Sequence, residues 1–404
     1  MQKTKHRIAG FPLYASIELV YWMGYAGSAF LSAYLVEHGF SSSIVGTIMS
    51  IVNCIGVLSA AVMGNWSDKI RSPRKVFLVC ALGTAFVVSM FPVGIRWKIV
   101  SFSLVIPLYL LWAFFCRPMS GLCDGWFLSI IDRDGSFSYG TIRYIGSFAY
   151  AMMCIVYSWA AKRYGSQDII FYMYGAINLL LVLLCIYARH DEAPVERAEK
   201  GKRVGVRAVA GHYHLIIYLV CHCLLNLPMY CSPTFIPFKL IELTGTTGAL
   251  GNVTAFRSLA EIPSLILSVY MIRKIGARRS LMLVMMSFAA VQLLFIFAGG
   301  MTMITVAMII LGFINGAFMA CQMRYVHSIA PQEAATSAIT LCTSMALVSA
   351  VVGNFVGGLL VDRFNTTAYF LFAMISVLLA LGIFLVSVPV GKRIGKPLPQ
   401  FPAE

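Results

Sequence analysis

Residues Leu371–Val386 read LFAMISVLLALGIFLV, a nearly continuous apolar run without a single charged residue. Comparable runs recur along the whole chain, which has 404 residues, 59% of them apolar and only 12% charged. Soluble domains carry roughly 25% charged residues, so this composition excludes a soluble globular protein. Lipid cannot hydrogen-bond a peptide group, which leaves helices or a closed β-barrel as spanning structures. Barrel strands alternate polar and apolar residues over short segments, and the continuous runs therefore predict an all-α membrane protein.

Runs long enough to cross a bilayer, about 20 mostly apolar residues each, predict twelve transmembrane helices in this sequence. The predicted spans are 11–37, 42–63, 76–95, 101–130, 138–161, 169–188, 214–238, 248–272, 280–298, 302–322, 337–360 and 368–390. Most loops are short, apart from a charged stretch between the sixth and seventh spans. We therefore expect an N-terminal six-helix half at 1–188, a cytoplasmic linker at 189–213 and a C-terminal six-helix half at 214–404.

The net charge of +15 follows this predicted topology. Basic residues cluster before the first helix, after the second, in the central linker, after the eighth and after the last. The positive-inside rule assigns these segments, and with them both termini, to the cytoplasmic side. We expect a multi-pass protein of the bacterial inner membrane, surrounded by the lipid bilayer and without a nucleic-acid partner.

Two pairs of segments repeat each other across the linker. Leu35–Gly46 reads LVEHGFSSSIVG, and Leu240–Gly251 reads LIELTGTTGALG. At the same offset, Asp68–Lys75 lies over Arg273–Ser280 with three identical residues. Matched loop registers after an intervening helix predict two parallel six-helix repeats, an arrangement that favours a binding site between the halves near the middle of the membrane.

The loop after the second predicted helix has one acidic residue among basic ones, in the order Gly64, Asp68, Lys69 and Arg74. This spacing resembles the signature loop of the major facilitator superfamily. The resemblance implies that these four residues form a cytoplasmic gate, with Gly64 permitting close approach of neighbouring helices. An ordinary basic loop is the alternative, but it does not explain the embedded acid.

The block RPMSGLCD at 117–124 is followed by YGTIRYIGSFAY at 139–150. These segments resemble helices four and five of the oligosaccharide, nucleoside and phenylpropionate proton-symporter branches of that superfamily, which are lactose-permease-like. The resemblance implies that Asp124 pairs with Arg143 and that Tyr150 stacks against the substrate. Arg117 lies two turns before Asp124 on the same helix face, and we expect it at the same substrate-binding site.

The positions of Asp124 and Arg143 favour pairing on physical grounds as well. Both lie about 8 Å from the cytoplasmic ends of their helices at 1.5 Å rise per residue. Each charge alone costs roughly 2.5–3.5 kcal/mol or more in the bilayer, so mutual pairing is favourable. A purely structural ion pair remains the alternative to a substrate site.

Two further carboxylates fall inside predicted helices. Glu261 follows Arg257 by four residues near the middle of helix eight, a pattern common in these symporter branches. Desolvation disfavours the charged carboxylate and Arg257 favours it, so this pair is predicted to couple transport to protons. Glu18 lies about 10 Å along helix one among several aromatic residues, and we expect it to bind substrate or a proton.

These features predict a secondary active transporter whose partners are a small-molecule substrate and protons. Proton-coupled uptake of a small polar or aromatic metabolite, such as a sugar, nucleoside or aromatic acid, is the favoured function. The alternatives are a proton-coupled efflux antiporter and, from another class, a non-transporting membrane sensor or scaffold. Efflux antiporters usually carry a Gly-Pro-rich helix five, whereas residues 139–161 contain no proline.

Enzyme chemistry finds no support in the sequence. It contains no HExxH metal motif and no recognisable pairing of a nucleophile with a base. We therefore expect no catalytic residues, no metal ligands and no cofactor, and we expect the transporter to be a monomer.

Overall fold

The computed structural model of the chain describes residues 2–99, 102–134, 139–188, 212–330 and 335–395. Within these ranges, only the backbone is described for 2–11, 98–99, 102, 129, 131–134, 139–144 and 335–337. The predicted linker at 189–213 lies almost entirely outside the described residues.

Long helices account for most of the described residues. The first part of the chain forms α1 (Gln2–Tyr25), a 3-10 turn (Ala26–Phe30), α2 (Leu31–Glu37), α3 (Ser42–Ile70), α4 (Pro73–Ser89), α5 (Phe91–Arg96), α6 (Val105–Cys116), α7 (Met119–Asp134), α8 (Tyr139–Tyr164) and α9 (Asp168–Tyr187). The second part forms α10 (Tyr213–Thr244), α11 (Leu250–Ile275), α12 (Ala277–Ile296), α13 (Met301–Ile329), α14 (Ala335–Arg363) and α15 (Thr366–Arg393). Between α5 and α6, β1 (Lys98–Ile99) and β2 (Phe102–Ser103) pair antiparallel.

By length and composition, 11 helical segments among the described residues are able to cross a membrane. Helix α8, with 26 residues, is a further long helix that this criterion does not include. The order of these helices along the chain, and the short loops between most of them, agree with the predicted spans. The all-α membrane fold predicted from the sequence is therefore confirmed.

Proline interrupts two of the predicted spans. The third predicted span divides into α4 and α5, with Pro92 in the first turn of α5. The fourth breaks between α6 and α7, at Arg117 and Pro118. Proline lacks the N–H that the helix ladder needs, and its ring clashes with the preceding turn. Each of these spans was predicted as one helix because hydropathy does not register the backbone hydrogen bond that a proline removes.

Several helix ends differ from the predicted ends. Helices α3 and α13 continue to Ile70 and Ile329, past the predicted ends at 63 and 322. Helix α4 begins at Pro73, because the side chain of Ser72 caps it by accepting a hydrogen bond from the Lys75 amide. Backbone hydrogen bonding and capping decide where a helix ends. Polar residues lower the hydropathy and so end a predicted span, but they can still form further turns of the same helix.

Contacts between helices divide the chain into two compact units. Unit 1 contains Met1–Gly39, Ile51–Arg197 and Gly248–Ala255, and unit 2 contains Phe40–Ser50, Ala198–Thr247 and Phe256–Glu404. In the core of unit 1, the ring of Tyr14 lies 6.0 Å from that of Trp126 and 5.6 Å from that of Phe127. In the core of unit 2, the rings of Phe295 and Phe370 stack at 4.8 Å. Each unit thus has a hydrophobic core of its own.

Gly46 and Gly251, which the sequence repeat aligns, make matching close approaches. In unit 2, an added Cβ at Gly46 would lie 2.3 Å from the carbonyl oxygen of Asn354. In unit 1, an added Cβ at Gly251 would lie 2.1 Å from the carbonyl oxygen of Cys154. Asn354 and Cys154 also correspond, because each lies eight residues before a weaker sequence match between 362–365 and 162–165. A duplicated helix arrangement produces matching environments of this kind.

Candidate functional site

The carboxylate of Glu18 is the centre of a polar site inside unit 1. Its side chain on α1 is only 2% exposed. The indole Nε1 of Trp22, one turn further along α1, donates to Glu18 Oε1 at 2.7 Å. The Cys123 thiol on α7 donates to Oε2 at 3.6 Å. A buried carboxylate needs such donors, because an unpaired charge is costly in an apolar interior.

Gly146 allows α8 to approach this carboxylate. An added Cβ at Gly146 would lie 2.3 Å from Trp22 Cδ1 and 3.0 Å from Glu18 Oε1. Real Cβ contacts are rarely as short as the first of these distances, so any larger residue would displace the indole. The glycine therefore lets α8 pack closely against α1 at Glu18.

Three aromatic side chains lie beside Glu18 and form what we call the aromatic cluster: Trp22, Tyr25 and Tyr150. The ring of Trp22 lies 5.3 Å from that of Tyr25 and 6.2 Å from that of Tyr150. Tyr25 and Tyr150 are 6.4 Å apart. All three side chains are only partly buried, and aromatic rings offer large apolar surfaces for packing. Tyr150, predicted to contact substrate, thus lies within reach of the Glu18 site.

Arg117 reaches α3 from the break between α6 and α7. Its Nη2 donates to Asn53 Oδ1 at 3.0 Å, and its guanidinium lies 5.7 Å from the ring centre of Trp112. An added Cβ at Gly56 would be 2.8 Å from Arg117 Cγ, so the aliphatic part of the arginine packs against the α3 backbone. The sequence did not predict this partnership with Asn53. Its substrate-binding role stays a prediction.

The predicted pair of Asp124 and Arg143 is only partly described. Asp124 lies on α7 directly after Cys123, and its side chain is half-buried. Arg143 lies on α8 three residues before Gly146, but its side chain is outside the described part of the structure. Each residue is therefore within three positions of a residue that contacts Glu18, namely Cys123 on α7 and Gly146 on α8. The ion pair itself stays a prediction.

Unit 2 contains a second polar cluster, formed by Arg257 and Glu261 of α11 with Asn315 of α13, which we call the α11–α13 cluster. Arg257 Nε lies 4.0 Å from Glu261 Oε1, and the two side chains are 18% and 33% exposed. The amide oxygen of Asn315 accepts from Arg257 Nη2 at 2.6 Å and from Nε at 3.2 Å. A guanidinium only donates hydrogen bonds, so the amide is oriented with its oxygen towards Arg257.

Two glycines of α13 bring this helix onto the backbone of α11. An added Cβ at Gly312 would lie 2.0 Å from the carbonyl oxygen of Arg257, and one at Gly316 would lie 2.7 Å from that of Glu261. Sequence reasoning did not predict that Asn315 contacts Arg257. A signal for it was available, since Asn315 falls inside the small-xxx-small spacing of Gly312 and Gly316, which is typical of close helix pairs in membranes.

The residues predicted to form a cytoplasmic gate lie around the end of α3 and the start of α4. An added Cβ at Gly64 would meet no atom of the described residues within 4 Å, so the described part of this structure shows no close helix approach at that glycine. Asp68 and Lys69 are exposed. Arg74 is buried and donates through Nη1 to the carbonyl oxygen of Cys185 at 2.7 Å, near the end of α9. A gating role for Asp68, Lys69 and Arg74 stays a prediction.

Comparison with known proteins agrees with this helical architecture. Residues 14–372 match the model of the MFS_1 like family. The maltose permease of Geobacillus stearothermophilus is 23% identical over 358 residues, which are 88% of this chain and 88% of that protein.

Solved structures of transporters share the fold. The nucleoside transporter NupG superposes with a TM-score of 0.78 at 16% identity, covering 93% of this chain and 98% of its own. A bacterial homologue of the human lysosomal transporter Spinster, inward-facing and occupied, superposes with a TM-score of 0.68 at 11% identity, covering 98% and 99%. From the family match over most of its length and from its helical fold, the chain belongs to the MFS_1 like family and is a multi-pass membrane transporter of the major facilitator superfamily.

Proposed function

We propose that this transporter takes up a neutral, hydroxyl-rich metabolite with a ring, a sugar or a nucleoside, together with protons. The relatives that it resembles are named a maltose permease and a nucleoside transporter, and these names suggest the two substrate classes to test. Importing either class into a cell requires a binding site for hydroxyl groups, a surface for a ring and a source of energy.

The observation that carries the proposal is the buried Glu18 carboxylate beside the aromatic cluster. A carboxylate accepts hydrogen bonds in up to four directions, and Glu18 already accepts from Trp22 and Cys123, so a substrate hydroxyl group would join an existing set of donors. The partly buried rings of Trp22, Tyr25 and Tyr150 supply apolar faces for a sugar or a base. An aromatic acid fits this site less well, because its carboxylate would face the negative charge of Glu18.

The α11–α13 cluster supports the proposed proton coupling. Glu261 is a partly buried carboxylate on a membrane-length helix, with Arg257 near it but outside contact distance for a strong ion pair. A carboxylate inside a membrane helix is energetically costly, and such residues therefore usually mark a functional site. We infer that Glu261 binds and releases the proton that moves with the substrate.

Uptake by purified protein in liposomes tests this function. The panel consists of radiolabelled maltose, uridine and 3-phenylpropionate, each measured with and without an imposed pH gradient, acidic outside. We expect one of the two neutral compounds to accumulate only when the gradient is present, and accumulation to be lost in Glu18→Gln. Accumulation of phenylpropionate alone would overturn the assignment of substrate class.

The same liposomes separate the alternatives. A proton-coupled efflux antiporter would extrude preloaded substrate when protons enter, and it would not accumulate substrate under the gradient described above. A sensor or scaffold would bind a compound without any flux, in either direction and at any pH. Either outcome would exclude proton-driven uptake.

A further inference from the structure

We propose that Asn315 is a positioning residue that holds the Arg257 guanidinium away from Glu261 and so leaves the Glu261 carboxylate able to exchange a proton. The inference rests on the proposed proton coupling and adds to it a residue on a different helix. The pattern of charged residues gave no indication of this role, since Asn315 is neutral.

The distances in the α11–α13 cluster support this role. Charge-assisted hydrogen bonds between a guanidinium and a carboxylate are typically about 2.7–2.9 Å long. Arg257 makes no such contact with Glu261, because the separation of Nε and Oε1 is 4.0 Å. Its short hydrogen bond, 2.6 Å from Nη2, goes to the amide oxygen of Asn315 instead. The shortest hydrogen bond of Arg257 in this cluster is therefore made to a neutral acceptor and not to the carboxylate.

Asn315 is suited to this task because its amide oxygen accepts hydrogen bonds. A guanidinium only donates, so the amide oxygen faces Arg257. Asn315 is itself 1% exposed, so water does not compete for these hydrogen bonds. The amide therefore gives the guanidinium a neutral acceptor in place of the Glu261 carboxylate.

The backbone contact of α13 with α11 fixes the position of this amide. Gly312 and Gly316 lie on either side of Asn315 and leave no room for a Cβ against the carbonyl groups of Arg257 and Glu261. A few tenths of an ångström of helix separation would close or lengthen both hydrogen bonds between Arg257 and the amide. Arg257 is the charged group that lies 4.0 Å from Glu261 within the described part of unit 2, so its position affects how readily that carboxylate holds a negative charge.

The consequence is testable through the titration of Glu261. If Asn315 is replaced by leucine, Arg257 loses its neutral acceptor and turns to Glu261, and the carboxylate then holds its negative charge to lower pH. If Asn315 is replaced by aspartate, the new carboxylate takes Arg257 and also repels Glu261, which then keeps its proton to higher pH. The two variants are expected to shift the titration in opposite directions, which a loss of packing would not do.

Infrared difference spectroscopy of the protein in lipid measures this titration without any substrate. The band of the protonated Glu261 carboxyl is assigned by its loss in Glu261→Gln. We expect Asn315→Leu to move its midpoint to lower pH by about one unit or more, a tenfold change in proton affinity, and Asn315→Asp to move it to higher pH. Asn226→Leu is the matched control, because the amide nitrogen of that buried asparagine donates to the carbonyl oxygen of His222 on its own helix.

A transport measurement connects the titration to function. In the wild-type background, Asn315→Leu is expected to reduce gradient-driven uptake at neutral pH by about tenfold, with recovery as the pH is lowered. In the Glu261→Gln background, where Arg257 has no carboxylate to capture, the same change is expected to alter substrate exchange less than twofold.

Unchanged midpoints in both Asn315 variants, or shifts in the same direction, would overturn the inference. So would an equal loss of exchange in both backgrounds, which is the result expected of a purely structural residue. If no compound of the panel is transported while the two midpoints still shift in opposite directions, the proposed substrate class fails and the role of Asn315 stands.

Discussion

The backbone of Gly146 lies so close to Trp22 that an added Cβ would be 2.3 Å from the indole Cδ1. The same Cβ would be 3.0 Å from Glu18 Oε1. Helix α8 therefore contacts both the buried carboxylate and its donor at a point that has no room for a side chain. This relationship offers a direct test of the Glu18 site, because the smallest possible substitution changes it.

Gly146→Ala is expected to displace the indole and raise the KM for substrate by about tenfold, equivalent to about 1.4 kcal/mol. The control is Gly121→Ala on α7, where an added Cβ meets no atom of the described side chains and backbone within 4 Å. Uptake kinetics and thermal unfolding are measured for both variants. An unchanged KM in a folded Gly146→Ala protein would show that the contact between Gly146 and Trp22 does not form part of the binding site.

Asp124 and Arg143 are expected to act as one substrate-binding unit. Removing one partner of a buried pair typically costs about 3–5 kcal/mol, whereas removing both is often nearly neutral. Asp124→Asn is therefore expected to lower the thermal unfolding temperature, and Asp124→Asn/Arg143→Gln to restore it while transport stays absent. A stable double variant that transports at the wild-type rate would show the pair to be structural.

Tyr150 is expected to contribute its ring and not its hydroxyl group. Its ring lies 6.2 Å from that of Trp22 and 6.4 Å from that of Tyr25, and stacking depends on the aromatic face. Tyr150→Phe should keep the wild-type KM within about twofold, and Tyr150→Ala should raise it by about tenfold, equivalent to about 1.4 kcal/mol. Tyr164→Ala, at the exposed end of the same helix, serves as the control.

Arg117 and Asn53 are expected to stabilise the contact between α3 and the α6–α7 break. Hydrogen bonds that involve a charged group contribute about 1.5–3 kcal/mol, so a double-mutant cycle of Arg117→Gln and Asn53→Ala should show coupling of about that size. The cycle is measured by unfolding in detergent. A coupling energy near zero would mean that the 3.0 Å contact adds nothing to stability, and a KM effect without coupling would favour a direct role of Arg117 in binding.

Gly312→Ala is expected to destabilise the folded protein, whereas Gly382→Ala in the same unit is not. The new Cβ would lie 2.0 Å from the backbone oxygen of Arg257, which has no rotamer to change. We expect a loss of about 1–3 kcal/mol, as for an overpacked core. Gly382→Ala lies in the interior of α15, where no atom of the residues that the structure describes is within 4 Å of an added Cβ, and it is expected to be neutral or to gain about 0.5–1 kcal/mol. Thermal unfolding of the two variants gives the comparison.

How far the sequence predicts the site differs from residue to residue. Glu18, Arg257 and Glu261 were found because an ionisable residue in an apolar run is costly and therefore conspicuous. Cys123 carries no charge, and nothing in the sequence distinguishes it from other small polar residues in membrane helices. Asn315 is also neutral, and only the small-xxx-small spacing of Gly312 and Gly316 around it marks a close helix contact. Gly64 was predicted to permit a close helix approach from the resemblance of its loop to the family signature, and among the described residues no atom lies within 4 Å of an added Cβ there.

The sequence by itself determined that the protein is an all-helical membrane protein, because hydropathy and charge are properties of the individual residues and do not depend on how they pack. It also aligned Gly46 with Gly251, whose close approaches in the structure match. Tertiary structure alone decided which polar groups meet: Cys123 with Glu18, Asn53 with Arg117, and Asn315 with Arg257. Hydrogen bonds act over about 3 Å, and whether two side chains come that close depends on how helices far apart in sequence pack, which no local pattern records.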